Sequence, residues 1–330
     1  MANREAMDRL AAAWAAAGMV VRRDEPMGER TWFGVGGPAA VWVEPADEGE
    51  VVAVVRGCLE AGVPWCVLGS GANLLVRDGG VSAVVMGLAG EAWRRVEGLD
   101  GALLSGDEAL VRAGAGADLM KLVLDTARAG LGGLEGVAGV PATVGGAVRM
   151  NAGGAFGEVG PAVRRVRVMD GDGAVRWVER SEMRFGYRRG EVGAPLILAV
   201  EFGLAPGEPG ELVRRVKEVF AYKKASQPMG DNSAGCAFKN PTGAVPEAVK
   251  GWGAGRLIDA AGLKGMRVGC ASVSEVHANF IAVDKSAGVA GGRADDVAVL
   301  IERVAEAVAG RFGVRLEREL VVWGEACAGG

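Results

Sequence analysis

Two glycine-rich runs are the most chemically suggestive stretches of this chain. Val67-Leu68-Gly69-Ser70-Gly71-Ala72-Asn73-Leu74-Leu75 carries an apolar strand into a loop of small residues. Small residues let backbone N–H groups converge on an anion, and Ser70 and Asn73 add side-chain donors. A phosphate or pyrophosphate suits such a loop; a tight turn between strands is the other reading. The second run, Gly139-Val140-Pro141-Ala142-Thr143-Val144-Gly145-Gly146-Ala147, continues to Met150-Asn151-Ala152-Gly153-Gly154. It can lie flat against a planar ligand or its pyrophosphate. Two such runs, each beside an α/β unit, favour one shared dinucleotide site over two structural loops. It is not a nicotinamide fingerprint: Gly114-Ala115-Gly116 lacks the third glycine of GxGxxG, and Gly34-Val35-Gly36-Gly37 has the wrong spacing.

Composition narrows the remaining chemistry. The chain has one histidine, His277, which argues against a His-based metal site or a Ser-His-Asp triad. The five cysteines (Cys58, Cys66, Cys236, Cys270 and Cys327) form no CxxC pair, and their odd count argues against a disulfide framework or a zinc site. A net charge of −4 argues against nucleic-acid binding, which calls for a basic face. No apolar run reaches the roughly 20 residues of a membrane span. The N-terminal residues lack the apolar core of a signal peptide. The expectation is a cytoplasmic, monomeric protein with a small-molecule substrate.

The elements that must position these loops can be read from periodicity. With 330 residues, two or three domains are expected. Glu5 to Gly18 reads as a helix. Residues 39–86 read as strand, helix, strand, loop, strand, with Asp47 opening the helix. A second unit follows: a strand at Ala109–Ala113, an amphipathic helix over Asp118–Ala129, and strands at Val163–Met169, Val175–Val178 and Pro195–Phe202. Asp170-Gly171-Asp172-Gly173 signals a hairpin. A linker of Pro and Gly at 205–210 precedes a helix over Glu211–Lys224. Beyond it lie a strand at Phe280–Val283, a helix over Asp295–Arg311, and a last pair of strands, Val314–Leu316 with Leu320–Trp323. Residues 325–330 read as a frayed tail.

Taken in order, further motifs carry a resemblance. Thr31-Trp32-Phe33-Gly34-Val35-Gly36-Gly37-Pro38-Ala39, followed by the Gly69–Asn73 loop, resembles the FAD-binding half of the UDP-N-acetylenolpyruvoylglucosamine reductase (MurB) family. Phe185-Gly186-Tyr187-Arg188 resembles that family's FxYR element. Ser233-Ala234-Gly235-Cys236-Ala237-Phe238-Lys239-Asn240-Pro241 resembles its SAGSxFKNP element. Leu257 to Gly265, His277-Ala278-Asn279-Phe280-Ile281, and Leu316-Glu317-Arg318-Glu319 follow in family order. The match runs from about Thr31 to Gly324.

The resemblance implies an α+β architecture. A two-subdomain FAD-binding (PCMH-type) α/β fold, with subdomains over 31–90 and 91–205 after a lead-in at 1–30, would precede a C-terminal α+β substrate domain over 211–324. It implies tightly but non-covalently bound FAD, reduced by NADPH, and reduction of UDP-N-acetylglucosamine enolpyruvate to UDP-N-acetylmuramate in peptidoglycan precursor synthesis. FAD contacts would fall on Gly69, Ser70, Gly71, Ala72, Asn73, Leu74, Val140, Pro141, Thr143, Gly145, Gly146 and Asn151. Arg188 aligns with the arginine that stabilises charge on the substrate's carboxylate side, and Glu319 with the acid; Glu317 is the alternative, and strand alternation would put both on one face. Cys236 stands where the family usually has a serine proton donor, and a thiol, with a reference pKa near 8.5, is the stronger acid. Lys224 resembles a lysine near the diphosphate, and Tyr187, Asn240 and His277 align with substrate-contacting positions. The short stretch from Phe202 to Lys224 matches the shorter, type II subtype. A flavin oxidase on the same FAD-binding fold is the competing enzyme class, but such enzymes often tether FAD through a histidine in the first subdomain. A catalytically altered relative that only binds flavin is the non-enzymatic alternative, and Cys236 is its one support.

Overall fold

The computed structural model describes residues 2–101, 104–105, 107–284 and 292–324. Its first sheet has four strands in the order Val20–Pro26, Pro38–Glu44, Val81–Gly87, Trp65–Leu68. The first pair is antiparallel and the other two are parallel. Val41, Val43, Val84 and Val85 are fully buried, as expected where helices cover a parallel sheet. The crossover helix Glu48–Glu60 starts where Asp47 predicts: its carboxylate accepts a hydrogen bond from the Glu50 amide at 2.9 Å. Strand Val20–Pro26, placed with the lead-in by sequence, is an integral edge of this sheet.

The second sheet is antiparallel and has seven strands, with Val163–Met169, Leu196–Pro206 and Glu108–Gly114 at its centre. The expected hairpin holds: Gly173 donates to the Asp170 carbonyl at 3.0 Å, and Val163–Met169 pairs with Val175–Glu179. Helix Leu119–Arg128, capped by Asp118, packs its Leu119, Leu122 and Val123 face into the core. Helix Pro209–Ser226 packs against it and sends Val216 and Val219 into the same core. That helix therefore sits with the second sheet, not with the C-terminal part expected to begin at 211.

The C-terminal part has its own core. Helix Ala294–Phe312 lays Val297, Leu300, Ile301 and Val304 over a three-stranded sheet of Arg267–Val268, Ala271–Val273 and Ile281–Val283. Residues 314–316 form no strand, contrary to expectation. Val321–Trp323 pairs instead, in parallel, with Leu74–Val76 at the end of the first glycine loop. A nearby β-rich partner from another domain outcompetes the local hairpin, which has no turn residues between Leu316 and Leu320 to close it.

Cys58, Cys236 and Cys270 are free thiols, whereas Cys66 is disulfide-bonded, a bond that the odd cysteine count did not lead one to expect. Cys327 and the tail lie outside the described residues. Among the described residues, no helix is long and apolar enough to cross a membrane.

Candidate active site

The two glycine loops face each other across a cleft of about 1330 Å³. They touch: a Cβ on Gly69 would lie 2.7 Å from the Thr143 hydroxyl, and Ser70 Oγ donates to the Pro141 carbonyl at 3.5 Å. Thr143 Oγ1 also accepts from the Gly146 amide and so opens the short helix Val144–Arg149. Gly71 has φ +67°, and a Cβ there would meet the Arg30 carbonyl at 2.1 Å. Only glycine permits that path. Among the described residues, the amides of Ser70, Gly71 and Ala72 have no protein acceptor. Unpaired donors on a cramped glycine loop fit the pyrophosphate of a dinucleotide, and the volume admits a flavin dinucleotide. Gly69 to Leu74, Val140, Pro141, Thr143, Gly145 and Gly146 all line the cleft.

Asn151 does not. It is fully buried; its Oδ1 accepts from the Gly160 amide and its Nδ2 donates to the Gly186 carbonyl, both at 2.9 Å. It braces the hairpin that carries Arg188.

Arg188, Cys236 and Glu319 meet in the same cleft. Arg188 turns the corner between Arg184–Gly186 and Arg189–Glu191 with φ 56°, a left-handed conformation that costs a non-glycine residue about 1–3 kcal/mol. From there its Nε donates to Glu319 Oε1 at 2.6 Å and its Nη1 to the Gly153 carbonyl at 2.9 Å. Glu319 is held by its backbone: its amide donates to the Ala237 carbonyl at 2.9 Å, and its carbonyl accepts from Asn73 Nδ2 at 3.3 Å. Asn73 thus spends its side chain on the catalytic segment, a use not foreseen for a phosphate donor. Burial pushes the Glu319 carboxyl up, against the pull of Arg188. Burial, then the Glu319 charge, pushes the Cys236 thiol up to about 12, against the influence of Arg188 and Asn279. The thiol is therefore a protonated, neutral group at neutral pH.

Glu317 separates from Glu319 here. It is exposed and pairs with Lys239 at 2.5 Å. The expected alternation fails because no regular strand runs through 314–320.

The expected substrate residues are more scattered. Lys224 is exposed and outside the cleft, while its neighbour Lys223 is inside it. Only one of two adjacent lysines on helix Pro209–Ser226 can face inward. Tyr187, Asn240 and His277 do not line the cleft. Tyr187 Oη accepts from the Asn240 amide at 3.2 Å, and Asn240 Oδ1 accepts from the Ala254 amide at 2.9 Å. His277 Nδ1 accepts from the Asn279 amide at 3.2 Å, its ring packs edge-on against Phe280, and burial lowers its pKa. Two residues escaped the sequence reading. Lys223 gave no signal beyond its doublet with Lys224. Asn279 lay within a quoted motif; it is 3% exposed and holds both the amide and the carbonyl of Phe238, at 3.0 and 2.8 Å. It fixes the extended segment that presents Cys236.

Comparison with known proteins gives this geometry a lineage. Residues 38–179 match the FAD binding domain family, and residues 227–323 match the UDP-N-acetylenolpyruvoylglucosamine reductase C-terminal domain family. The chain is 39% identical over 313 residues to the UDP-N-acetylenolpyruvoylglucosamine reductase of Desulfosudis oleivorans, covering 92% of this chain and 95% of that one. This chain belongs to the UDP-N-acetylenolpyruvoylglucosamine reductase family. It is 40% identical over 306 residues to UDP-N-acetylenolpyruvoylglucosamine reductase 2 of Symbiobacterium thermophilum, covering 92% of each. It also resembles the crystal structure of the reductase from Thermus caldophilus, with a TM-score of 0.75 and 39% identity over 92% of this chain and 99% of that one. The oxidase alternative finds no support in the first subdomain, because the single histidine lies in the C-terminal part.

Proposed function

We infer that this protein reduces UDP-N-acetylglucosamine enolpyruvate to UDP-N-acetylmuramate, with FAD as cofactor and NADPH as reductant. The observation that carries the reading is the convergence of Arg188, Glu319 and Cys236, from three separate segments, on a cleft walled by two cramped glycine loops. FAD, which the Gly69–Asn73 and Val140–Gly146 loops would hold, would supply the redox chemistry, carrying hydride from NADPH to the enolpyruvyl double bond. The protein's own residues handle charge and protons. Hydride addition builds negative charge on the carboxylate side of the substrate, where a fixed cation is needed. Arg188 supplies it, oriented by Glu319 and the Gly153 carbonyl. Cys236 holds the proton that completes the saturated carbon. Glu319 keeps Arg188 aimed and sets the local charge around the thiol.

The reading extends to a cytoplasmic monomer: UDP-sugars and NADPH are metabolites of the cytoplasm, and Arg188, Cys236 and Glu319 all come from one chain. Anaerobic stopped-flow spectroscopy tests the reading. NADPH should bleach the bound flavin, and UDP-N-acetylglucosamine enolpyruvate should restore its colour. A flavin that the substrate leaves reduced would overturn the assignment.

A further inference from the structure

Among the described residues that line the cleft, Lys223 stands out as a buried cation that the roles above leave unused. It is 6% exposed, yet it lines the cleft, and its Nζ has no hydrogen-bond partner among the described residues. A buried ammonium without a partner is costly and is retained where something else completes it. Its neighbours do not. Gly139 and Gly154 lie against its aliphatic stem, and the charged group beside it is another cation, Arg188. Glu319, which could balance one positive charge, is already bonded to Arg188 Nε. Glu319 therefore balances Arg188, and Lys223 is left without a counter-charge.

We propose that Lys223 binds the carboxylate of the enolpyruvyl group, forming with Arg188 a two-cation clamp on the charge that grows during reduction. This rests on the substrate assignment above and names a residue for it. Arg188 alone is a poor carboxylate receptor here. Its Nε and Nη1 are committed to Glu319 and Gly153, which leaves Nη2. A second donor completes the pair of contacts that a carboxylate takes. The substrate's diphosphate is the other anion to consider. It hangs from the anomeric carbon of the sugar, whereas the enolpyruvyl ether sits on the oxygen of another ring carbon. A cation beside Arg188 faces the carboxylate end.

Two ligands that differ by the enolpyruvyl group separate these readings. Their binding to the oxidised, FAD-loaded protein can be followed by flavin absorbance changes and calorimetry. The wild type should bind UDP-N-acetylglucosamine enolpyruvate more tightly than UDP-N-acetylglucosamine. Lys223→Met should weaken the first by about tenfold or more, as loss of a charged hydrogen bond implies, and leave the second within about twofold. Lys223→Arg should keep most of the preference, and Lys223→Gln should lose it as the methionine variant does. Equal weakening of both ligands would assign Lys223 to the diphosphate, and no weakening would make it structural; either overturns the clamp. So would Lys223→Met protein that purifies without FAD. A wild type whose reduced flavin the substrate does not reoxidise would instead bring down the substrate assignment itself.

Discussion

At Cys236 a thiol stands where a hydroxyl is usual, and its surroundings keep it protonated. Burial and the Glu319 charge push it up to about 12, still an acid strong enough to donate to a developing carbanion. Cys236→Ser should keep substantial turnover, because serine places a proton at the same atom. Cys236→Ala should still be reduced by NADPH, but its flavin should be reoxidised by substrate at least ~100-fold more slowly. Normal reoxidation in the alanine variant would remove Cys236 from the chemistry. The two glutamates should part as sharply. Glu319→Gln should lower kcat by about 10²-fold or more, whereas Glu317→Gln, which disturbs only an exposed pair with Lys239, should change it little. Lys223 adds a pH signature. Its pKa falls from 10.5 unfolded to about 8 folded, chiefly through burial and then through Arg188, the cation facing it from the hairpin. The unfolded chain thus binds the proton more tightly, and the charge destabilises the fold fully below about pH 8. Without ligand, Lys223→Met should raise Tm at pH 7, and the gain should shrink as pH rises from about 8 towards 10.5.

The loops and strands convert these residues into a site. Gly71 and Gly79 provide a contrast within one stretch. A Cβ at Gly71 would strike the Arg30 carbonyl at 2.1 Å, while one at Gly79 meets nothing within 4 Å. Gly71→Ala should weaken FAD retention, measured as flavin absorbance after gel filtration, and Gly79→Ala should not. Asn279 plays the same part for the Cys236 segment. Its loss leaves the Phe238 amide and carbonyl buried without partners, so Asn279→Ala should cost about 1–3 kcal/mol in urea unfolding and slow substrate-driven reoxidation as well.

Across the whole molecule, two contacts outside the reaction centre help clip the C-terminal part onto the FAD-binding half. One is the parallel pairing of Val321–Trp323 with Leu74–Val76, which sets Glu319 beside the first glycine loop. The other is a cap supplied between domains. Helix Ala294–Phe312 has no side-chain cap of its own, and Asp78 accepts from its Ala294 amide at 2.8 Å and its Asp295 amide at 3.3 Å. Arg77 pairs with Asp295 at 2.6 Å alongside. Asp78→Ala should cost about 1 kcal/mol or somewhat more through the lost cap. It should also lower activity without touching the cleft, because it loosens the part that carries Cys236 and Glu319.

Local pattern was enough for much of this. Apolar periodicity, the capping residues Asp47 and Asp118 and the Asp170–Gly173 turn placed the five longest helices and most of the longer strands within a few residues, since those signals act over one or two turns of chain. Motif order was enough to bring Arg188, Cys236 and Glu319 together on one list. Contacts between distant segments lay beyond it. Nothing local could say that residues 321–323 would join Leu74–Val76 and not 314–316, that Glu317 would face solvent, or that Lys223 and not Lys224 would turn inward. Each of those outcomes depends on which surface another part of the chain presents, and that is decided only when the domains dock.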